Sequence, residues 1–207
     1  MLRLDAERNR QRLVAAARVA FAEGGLDVPL EQIARRAGVG IATLYRRFPT
    51  RDELLSAVFE DRLVRLAALA AEARRAPDAR TGFRRYLERA CAMQAADRGL
   101  GELLIRSFPG GRRLQDLRQR AERDLAEVIR RAQAEGRLRS DLVVEDVTLL
   151  LMANAGVLRA TRTDAPRAWR RFLALMLDAC DADRARPLPA PPRSAQLSRA
   201  LRRLSAP

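Results

Sequence analysis

Residues 38–48 read GVGIATLYRRF, and this stretch decides the fold of the N-terminal part of the chain. Gly38 gives the backbone the freedom that a tight turn needs, and Val39 is expected to fill the gap between the helices on either side. Leu44 and Phe48 are four residues apart, so they share the face that holds the second helix down. Two short helices joined by such a turn are typical of a helix-turn-helix, in which the second helix is the recognition helix.

The remaining positions of this stretch are expected to lie outward or at the edge of the second helix. They offer small apolar groups and polar tips that suit contact with bases and phosphates. These positions are Ile41, Ala42, Thr43, Tyr45, Arg46 and Arg47. Because adjacent helical residues diverge by about 100°, we expect at most one of Arg46 and Arg47 to reach base edges, and the alternative is that both lie on a solvated face.

Helices are predicted on both sides of this motif. Apolar residues at helical spacing predict a first helix over about residues 6–23 and a second over about residues 30–37. Thr50 and Glu53 have the spacing of a capping box, which opens a long helix that ends near Arg75. Gly and Pro residues separate the later predicted helices, which lie near residues 80–98, 101–108, 112–135, 144–162 and 166–182.

The pattern predicts an all-α fold of about nine helices in three parts. An N-terminal three-helix helix-turn-helix domain covers residues 1–49, and a C-terminal helical ligand-binding and dimerisation domain covers residues 50–182. Residues 183–207 form a Pro-rich linker and a short basic tail. We expect residues 183–193 to be mobile and residues 194–205 to form at most a short helix, because only three leucines offer apolar contact there.

Composition excludes several classes of active site. The 207 residues include 40 basic residues, all of them arginine, against 26 acidic residues, and there is no histidine. Without histidine there is no His-based acid–base catalysis and no His-containing metal site. Cys91 and Cys180 are far apart in sequence and are expected to be buried apolar residues. We therefore predict a protein that is not an enzyme and needs no cofactor or metal. We also predict a cytoplasmic location and no membrane association, because no apolar signal core or membrane-length run is found.

The stretch GLDVPLEQIARRAGVGIATLYRRFPTRDELLSAVF, residues 25–59, resembles the N-terminal domain of TetR-type (TetR/AcrR) transcriptional regulators. The resemblance implies an all-helical homodimer whose first three helices bind DNA. It also implies that the C-terminal helices form a ligand pocket and a dimer interface.

The resemblance assigns DNA-binding roles residue by residue. The positions that meet bases or the adjoining backbone are Gly40, Ile41, Ala42 and Thr43. Tyr45 matches a phosphate-binding tyrosine, and Arg46 and Arg47 match variable positions that often touch DNA. Arg51 stands where the family usually has a phosphate-binding lysine. One departure is Val28-Pro29-Leu30, where the family often has a Thr or Ser that caps the second helix and touches phosphate.

Ligand-binding residues are predicted on the apolar faces of the later helices. They are Phe59, Arg62, Tyr86, Met93, Phe108 and Asn154. Arg62 lies among apolar positions, so it either binds an acidic effector, pairs with a carboxylate or extends to the surface. Asn154 is either a hydrogen-bonding group of the pocket or a polar group that sets the register of the dimer.

A dimer interface is predicted on the last two helices of the regulatory part. Small residues permit close helix approach and larger ones supply apolar area, as in a four-helix interface. The predicted residues are Val147, Leu151, Ala153, Gly156, Ala160, Trp169, Phe172 and Met176. The alternative is that both helices only complete the core of the monomer.

These observations predict a DNA-binding transcriptional regulator. The favoured form is a repressor that a small-molecule effector releases from a palindromic operator. The alternatives are an activator or ligand-independent regulator of the same fold, and a basic protein that binds nucleic acid without sequence preference.

Overall fold

The structure is a computed structural model that describes residues 2–105 and 112–203. Within these residues the chain is all-helical and has no named strand, which confirms the predicted all-α class. The ten α-helices are α1 (Leu2–Gly24), α2 (Leu30–Ala37), α3 (Ile41–Arg47), α4 (Arg51–Arg75), α5 (Ala79–Ala96), α6 (Arg98–Ile105), α7 (Arg112–Ala134), α8 (Val144–Thr161), α9 (Ala168–Ala179) and α10 (Ser194–Arg203).

The turn between α2 and α3 follows from the glycine that ends α2. Gly38 has φ +66° and ψ 37°, a left-handed conformation that a side chain would disfavour. Its N–H donates to Arg35 O, and the N–H of Val39 donates to Ala34 O, so the last carbonyls of α2 are satisfied. Val39 then packs against the apolar core beneath the two helices, as the sequence predicts.

Side-chain caps set where the long helices begin. The hydroxyl of Thr50 accepts a hydrogen bond from Glu53 N at 3.2 Å, which starts α4 where the capping box predicts. Asp78 accepts from Arg80 N at the start of α5. By contrast, α2 begins at Leu30, and its N-cap residue Pro29 provides no side-chain cap, as expected from the Val28-Pro29-Leu30 sequence.

Two apolar cores share helix α4. The first core joins α1, α2 and α3 to the first half of α4 as far as Leu63, and to Leu100 and Leu103 of α6. The second core begins at Leu66 of α4 and includes residues of α5, α7, α8 and α9. The helix has 25 residues, so it is about 37 Å long. Helix α4 therefore connects the helix-turn-helix to the second core.

The segment after α9 is tied to the body of the protein. Arg139 is only 7% exposed. It donates to both carboxylate oxygens of Asp141, to Ala179 O at 3.3 Å and to Arg186 O at 2.5 Å. Leu188 N also donates to Asp141 at 3.3 Å. A buried arginine and an acidic side chain therefore hold the linker backbone at Arg186 and Leu188, and the expected mobility of residues 183–193 stays a prediction.

Replacing Arg139 with Ala should lower the free energy of unfolding by about 2 kcal/mol, because Asp141 and two backbone carbonyls lose a charged donor. Urea unfolding followed by circular dichroism measures the change. Arg137→Ala is the matched control, since Arg137 is an exposed arginine in the same loop. Equal stability of the two variants would contradict the structural role of Arg139.

Candidate nucleic-acid interface and internal cavities

Helix α3 presents one open face. Leu44 is completely buried and Phe48 is 4% exposed, so they hold the back of the helix against the first core. On the other side Ala42, Tyr45 and Arg46 are exposed, with Tyr45 at 47%. Ile41, Thr43 and Arg47 lie at the edges and are partly buried. The helix therefore has the apolar back and accessible front that its sequence predicts.

Gly40, which precedes this helix, is not required by the packing of the chain. Its backbone has φ −70° and ψ 150°, a conformation open to any residue. A Cβ atom built there would meet no heavy atom within 4 Å. The fold would accept a side chain at this position, so the open space in front of Gly40 is available for close approach by another molecule.

The two adjacent arginines of α3 take different directions. Arg47 lines a cleft with Phe48 and Glu53, and its Nε atom is buried without a hydrogen-bond partner among the described residues. Arg46 is exposed and follows Ala42 by one helical turn. The arginine on the open face is therefore Arg46.

Arg51 is held by the loop between α1 and α2. Its Nη1 atom donates to Leu26 O at 2.7 Å and to Val28 O at 3.0 Å. This arrangement was not expected from the sequence, and it means that part of the guanidinium is already used within the chain. A phosphate contact of Arg51 stays a prediction.

The same loop is held from the other side by Glu102 of α6. The Glu102 carboxylate accepts from Leu26 N at 2.7 Å and from Arg98 Nε at 3.0 Å. Gly25 has φ +83°, a left-handed conformation that favours glycine, and a Cβ atom there would also lie 2.5 Å from Glu102 Oε1. We call Arg51, Glu102 and their backbone partners at Leu26 and Val28 the loop clamp. Nothing in the sequence pattern indicates it, because the bond from Leu26 to Glu102 joins residues 76 positions apart.

Glu102→Gln should weaken the loop clamp while keeping the shape of the side chain. The two carboxylate oxygens accept one bond each, and an amide has a single acceptor oxygen and no charge, so one bond is lost and the other is weakened. We expect a fall of about 1 kcal/mol in the free energy of unfolding and faster amide exchange at residues 25–28. Urea unfolding and hydrogen exchange measure these effects. Glu135→Gln, at an exposed position, is the control, and unchanged exchange in the loop would contradict the clamp.

Arg62 forms an ion pair with Asp97. Arg62 Nε lies 2.6 Å from Asp97 Oδ2, and the Asp97 side chain is 8% exposed. Asp97 Oδ1 accepts from Leu100 N at the start of α6, and Arg62 lies 5.9 Å above the Phe59 ring. Of the three alternatives for Arg62, the structure has the carboxylate pair.

Asn154 is fully buried between α5 and α8. Its Nδ2 atom donates to Gln94 Oε1 at 2.8 Å, and Gln94 Nε2 donates to Leu151 O at 3.2 Å. The Oδ1 atom of Asn154 is buried without a partner in the described part of the chain. Asn154 therefore lies inside a single chain, next to Gln94, which lines a cavity of about 140 Å³ between α6 and α8.

A larger cavity of about 270 Å³ lies among α4, α5, α7, α8 and α10. Its lining includes Tyr86, whose pKa is raised by burial, and the Arg118–Glu122 pair of α7. Burial lowers the pKa of Arg118 and raises that of Glu122. The other lining residues are Leu63, Leu66, Ala67, Leu117, Ala121, Leu125, Val144, Glu145, Val147, Thr148, Leu151, Ser194, Leu197, Ser198 and Leu201.

The predicted ligand residues are not all brought together. Tyr86 lines the larger cavity, whereas Phe59 stacks on Phe21 at 6.1 Å in the first core. Met93 is partly buried where the two cores meet. Phe108 lies outside the described residues. Sequence reasoning missed Arg118 and Glu122, because one face of α7 alone does not indicate which helices close over it.

The predicted interface residues divide into two groups. Val147, Leu151 and Trp169 are at most 9% exposed and pack in the second core of their own chain, so they offer a partner little area. The other residues remain wholly or partly exposed, namely Ala153, Gly156, Ala160, Phe172 and Met176. Leu149 and Leu175 add apolar area, at 39% and 55% exposure.

Two segments of the chain match known families. Residues 13–58 match the bacterial regulatory proteins of the tetR family, and residues 77–179 match the C-terminal domain of SbtR-like transcriptional regulators. The structure is similar to the TetR transcriptional regulator SCO0520 from Streptomyces coelicolor, with 33% identity and a TM-score of 0.53. That similarity covers 83% of this chain and 98% of the other.

This chain belongs to the TetR family of transcriptional regulators. Two further solved structures share its fold at lower identity. RolR in complex with resorcinol has 23% identity and a TM-score of 0.55, over 90% of this chain and 97% of that one. SmeT in complex with triclosan has 24% identity and a TM-score of 0.56, over 87% and 99%.

Among the described residues, no helix is long and apolar enough to cross a membrane, and no His, Cys, Asp or Glu cluster suits a metal ion. Cys91 and Cys180 are free and buried, and burial raises the pKa of Cys91 to about 12 and that of Cys180 to about 11. Both thiols are therefore protonated at neutral pH.

Proposed function

We propose that this TetR-family protein is a repressor that binds a two-fold symmetric operator as a homodimer and leaves it when a small-molecule effector binds. The observation that carries the proposal is the open face of α3, which extends from the unoccupied space at Gly40 to the exposed Arg46. An apolar back and an accessible front are what a recognition helix needs in the major groove.

In this proposal, some residues of the open face of α3 contact phosphates and others contact bases. Tyr45, at 47% exposure, donates its hydroxyl to a phosphate and so sets the register of the helix. Ile41 and Ala42 offer apolar contact, which suits a thymine methyl group, and Arg46 can bond both acceptors of guanine. Gly40 and Thr43 meet the DNA backbone at the start of the helix.

Dimerisation brings two such helices to the two halves of an operator. The exposed residues of α8 and α9 form the proposed contact, in which Gly156 permits close helix approach and Leu175 supplies apolar area. A two-fold axis through this surface would match a palindromic DNA site.

The cavity bounded by α4, α5, α7 and α8 is the proposed effector site. Its apolar lining with a few buried polar groups suits a small organic molecule. The presence of resorcinol in RolR and triclosan in SmeT supports this role. An effector that favours a different position of α4 or α6 acts on the helix-turn-helix through the shared core and through the loop clamp at Leu26.

Binding titrations test the proposal directly. Fluorescence anisotropy is measured with duplexes from the DNA beside the gene of this protein and with random duplexes, at about 50 mM and about 200 mM salt. We expect tight binding of two chains to one inverted repeat, at least about 1000-fold tighter than to random DNA. Equal binding to all duplexes with a steep salt dependence would favour non-specific nucleic-acid binding instead.

The regulatory direction is tested on the same operator. A reporter gene behind the inverted repeat should be silenced by the protein and restored by an effector that weakens DNA binding in the titration. Activation of the reporter would favour an activator of the same fold, and silencing that no cavity-binding compound relieves would favour a ligand-independent regulator.

A further inference from the structure

The C-terminal helix α10 is amphipathic, and its apolar side faces the larger cavity. Leu197 is 8% exposed, and it lines that cavity together with Leu201, Ser194 and Ser198. Arg193 before the helix and Arg199 and Arg203 within it are exposed. Leu204, the third leucine of the tail, lies outside the described residues. The apolar groups of α10 thus serve as part of the wall of a cavity in the regulatory core.

Helix α10 also contacts the body of the protein. Its leucines line the larger cavity, and the Ser194 hydroxyl donates a hydrogen bond to Glu145. The linker backbone before it is held by Arg139 and Asp141 at Arg186 and Leu188. A helix of 10 residues is marginal in water. Its docking therefore depends on the burial of a few apolar side chains.

A tethered helix that forms one wall of a cavity competes with any molecule whose entry needs that wall to move. Because the tether keeps α10 beside the cavity, it rebinds without the cost of diffusion. A ligand then binds only the fraction of molecules in which the helix is displaced, and its apparent affinity falls by that fraction. The side chains of α10 also indicate the class of ligand, since its leucines line the cavity.

We propose that α10 is a lid on the larger cavity, and that an apolar or amphipathic ligand enters by displacing Leu197 and Leu201. The inference rests on the proposed effector role of this cavity and adds a regulatory element to it. The lid lowers the affinity for ligand, so it sets the concentration at which the regulator responds. It also predicts that ligand binding exposes the tail.

The test uses N-phenyl-1-naphthylamine, an uncharged apolar fluorophore, so that the arginines of the tail do not bias the result. The double variant Leu197→Ser, Leu201→Ser removes the apolar contacts of α10 with the cavity and leaves the net charge unchanged. We expect the double variant to bind the fluorophore about tenfold more tightly than the parent chain. Leu188→Ser is the control, because Leu188 is 53% exposed in the linker, and its affinity should stay within about twofold of the parent.

A second measurement follows the position of the lid. Tryptic cleavage at Arg199 should be slow in the parent chain and fast in the double variant, and saturation with the fluorophore should speed it in the parent. A chain that ends at Arg193 lacks α10 altogether and should bind the fluorophore like the double variant. This shorter chain keeps the test decisive if the serine variant aggregates.

Two results would overturn the lid. Unchanged fluorophore affinity in both altered chains would mean that α10 does not restrict the cavity, and weaker affinity would mean that its leucines form a lasting part of the binding wall. Operator binding is measured separately, without fluorophore. If the parent chain did not bind an operator, the proposed repressor would be refuted, but the fluorophore results would still decide whether α10 is a lid.

Discussion

A Gly40→Asp variant is expected to lose about 100-fold or more in operator affinity while folding at least as stably as the parent chain. Asp is a favoured N-cap residue, and its charge suits the N-terminus of α3. The backbone at Gly40 accepts a side chain and the space in front of it is empty, so the fold resists the change little. The same carboxylate would face DNA phosphate, where like charges repel by several kcal/mol at about 4 Å in a partly screened setting.

Two controls separate charge from bulk at this position. Gly40→Asn adds a side chain of the same shape that also caps the helix, so its affinity should lie between those of the parent and the Asp variant. Gln119→Glu adds one negative charge on an exposed position of α7 and should leave affinity within about threefold. Anisotropy titration and urea unfolding are both measured for each variant.

The outcome distinguishes the proposed orientation of α3 from other orientations. Loss of DNA affinity without loss of stability supports the approach of DNA at Gly40. If Gly40→Asp bound the operator as tightly as the parent chain, DNA would not approach the start of α3. The proposed contacts of Ile41, Ala42 and Arg46 would then be wrong as well.

Local patterns predicted the helix-turn-helix well because its determinants are close in sequence. The left-handed turn at Gly38, the burial of Leu44 and Phe48 and the cap at Thr50 each depend on residues within a few positions of one another. The all-α class follows from the same helical periodicity. The exposed face of α3 is simply what remains when these residues are placed.

Long-range polar contacts could not be predicted from local sequence patterns. The loop clamp joins Arg51 and Glu102 to one loop from two different helices. Arg47 and Arg46 are equivalent by sequence, and only the cleft beside Phe48 separates their directions. A guanidinium can reach many partners, so its partner depends on packing that neither periodicity nor spacing encodes.

The sequence predictions also differ from the structure at apolar residues. Periodicity indicates which residues are buried, but it does not indicate which elements cover them. By sequence, Val147 and Trp169 could pack equally well in a dimer interface or in the core of one chain. In the structure they pack in the core of their own chain. Leu197 follows a Pro-rich segment whose composition predicts a mobile linker, yet it lines a cavity. The surroundings of these residues depend on which helices pack together, and that depends on the whole fold.

The second large effect is expected at Gly156, where Leu should convert the dimer into monomers. Within one chain a Cβ atom at Gly156 meets nothing within 4 Å, so the monomer has room for a side chain. Leu is also a better helix former than Gly by roughly 1 kcal/mol, which should stabilise α8. A close helix contact across a two-fold axis has no such room, and the added bulk appears there twice.

Mass in solution gives the answer for this variant. At micromolar concentration the parent chain should have twice the 23.2 kDa chain mass, and the Leu variant should have the mass of one chain. The midpoint of thermal unfolding should rise with concentration for the parent chain and stay constant for the variant. Ala134→Leu adds the same bulk at an exposed position of α7 and should remain dimeric. A parent chain that is a stable monomer would refute the proposed homodimer, and a Leu variant that keeps the dimer mass would place the interface elsewhere than on this face of α8.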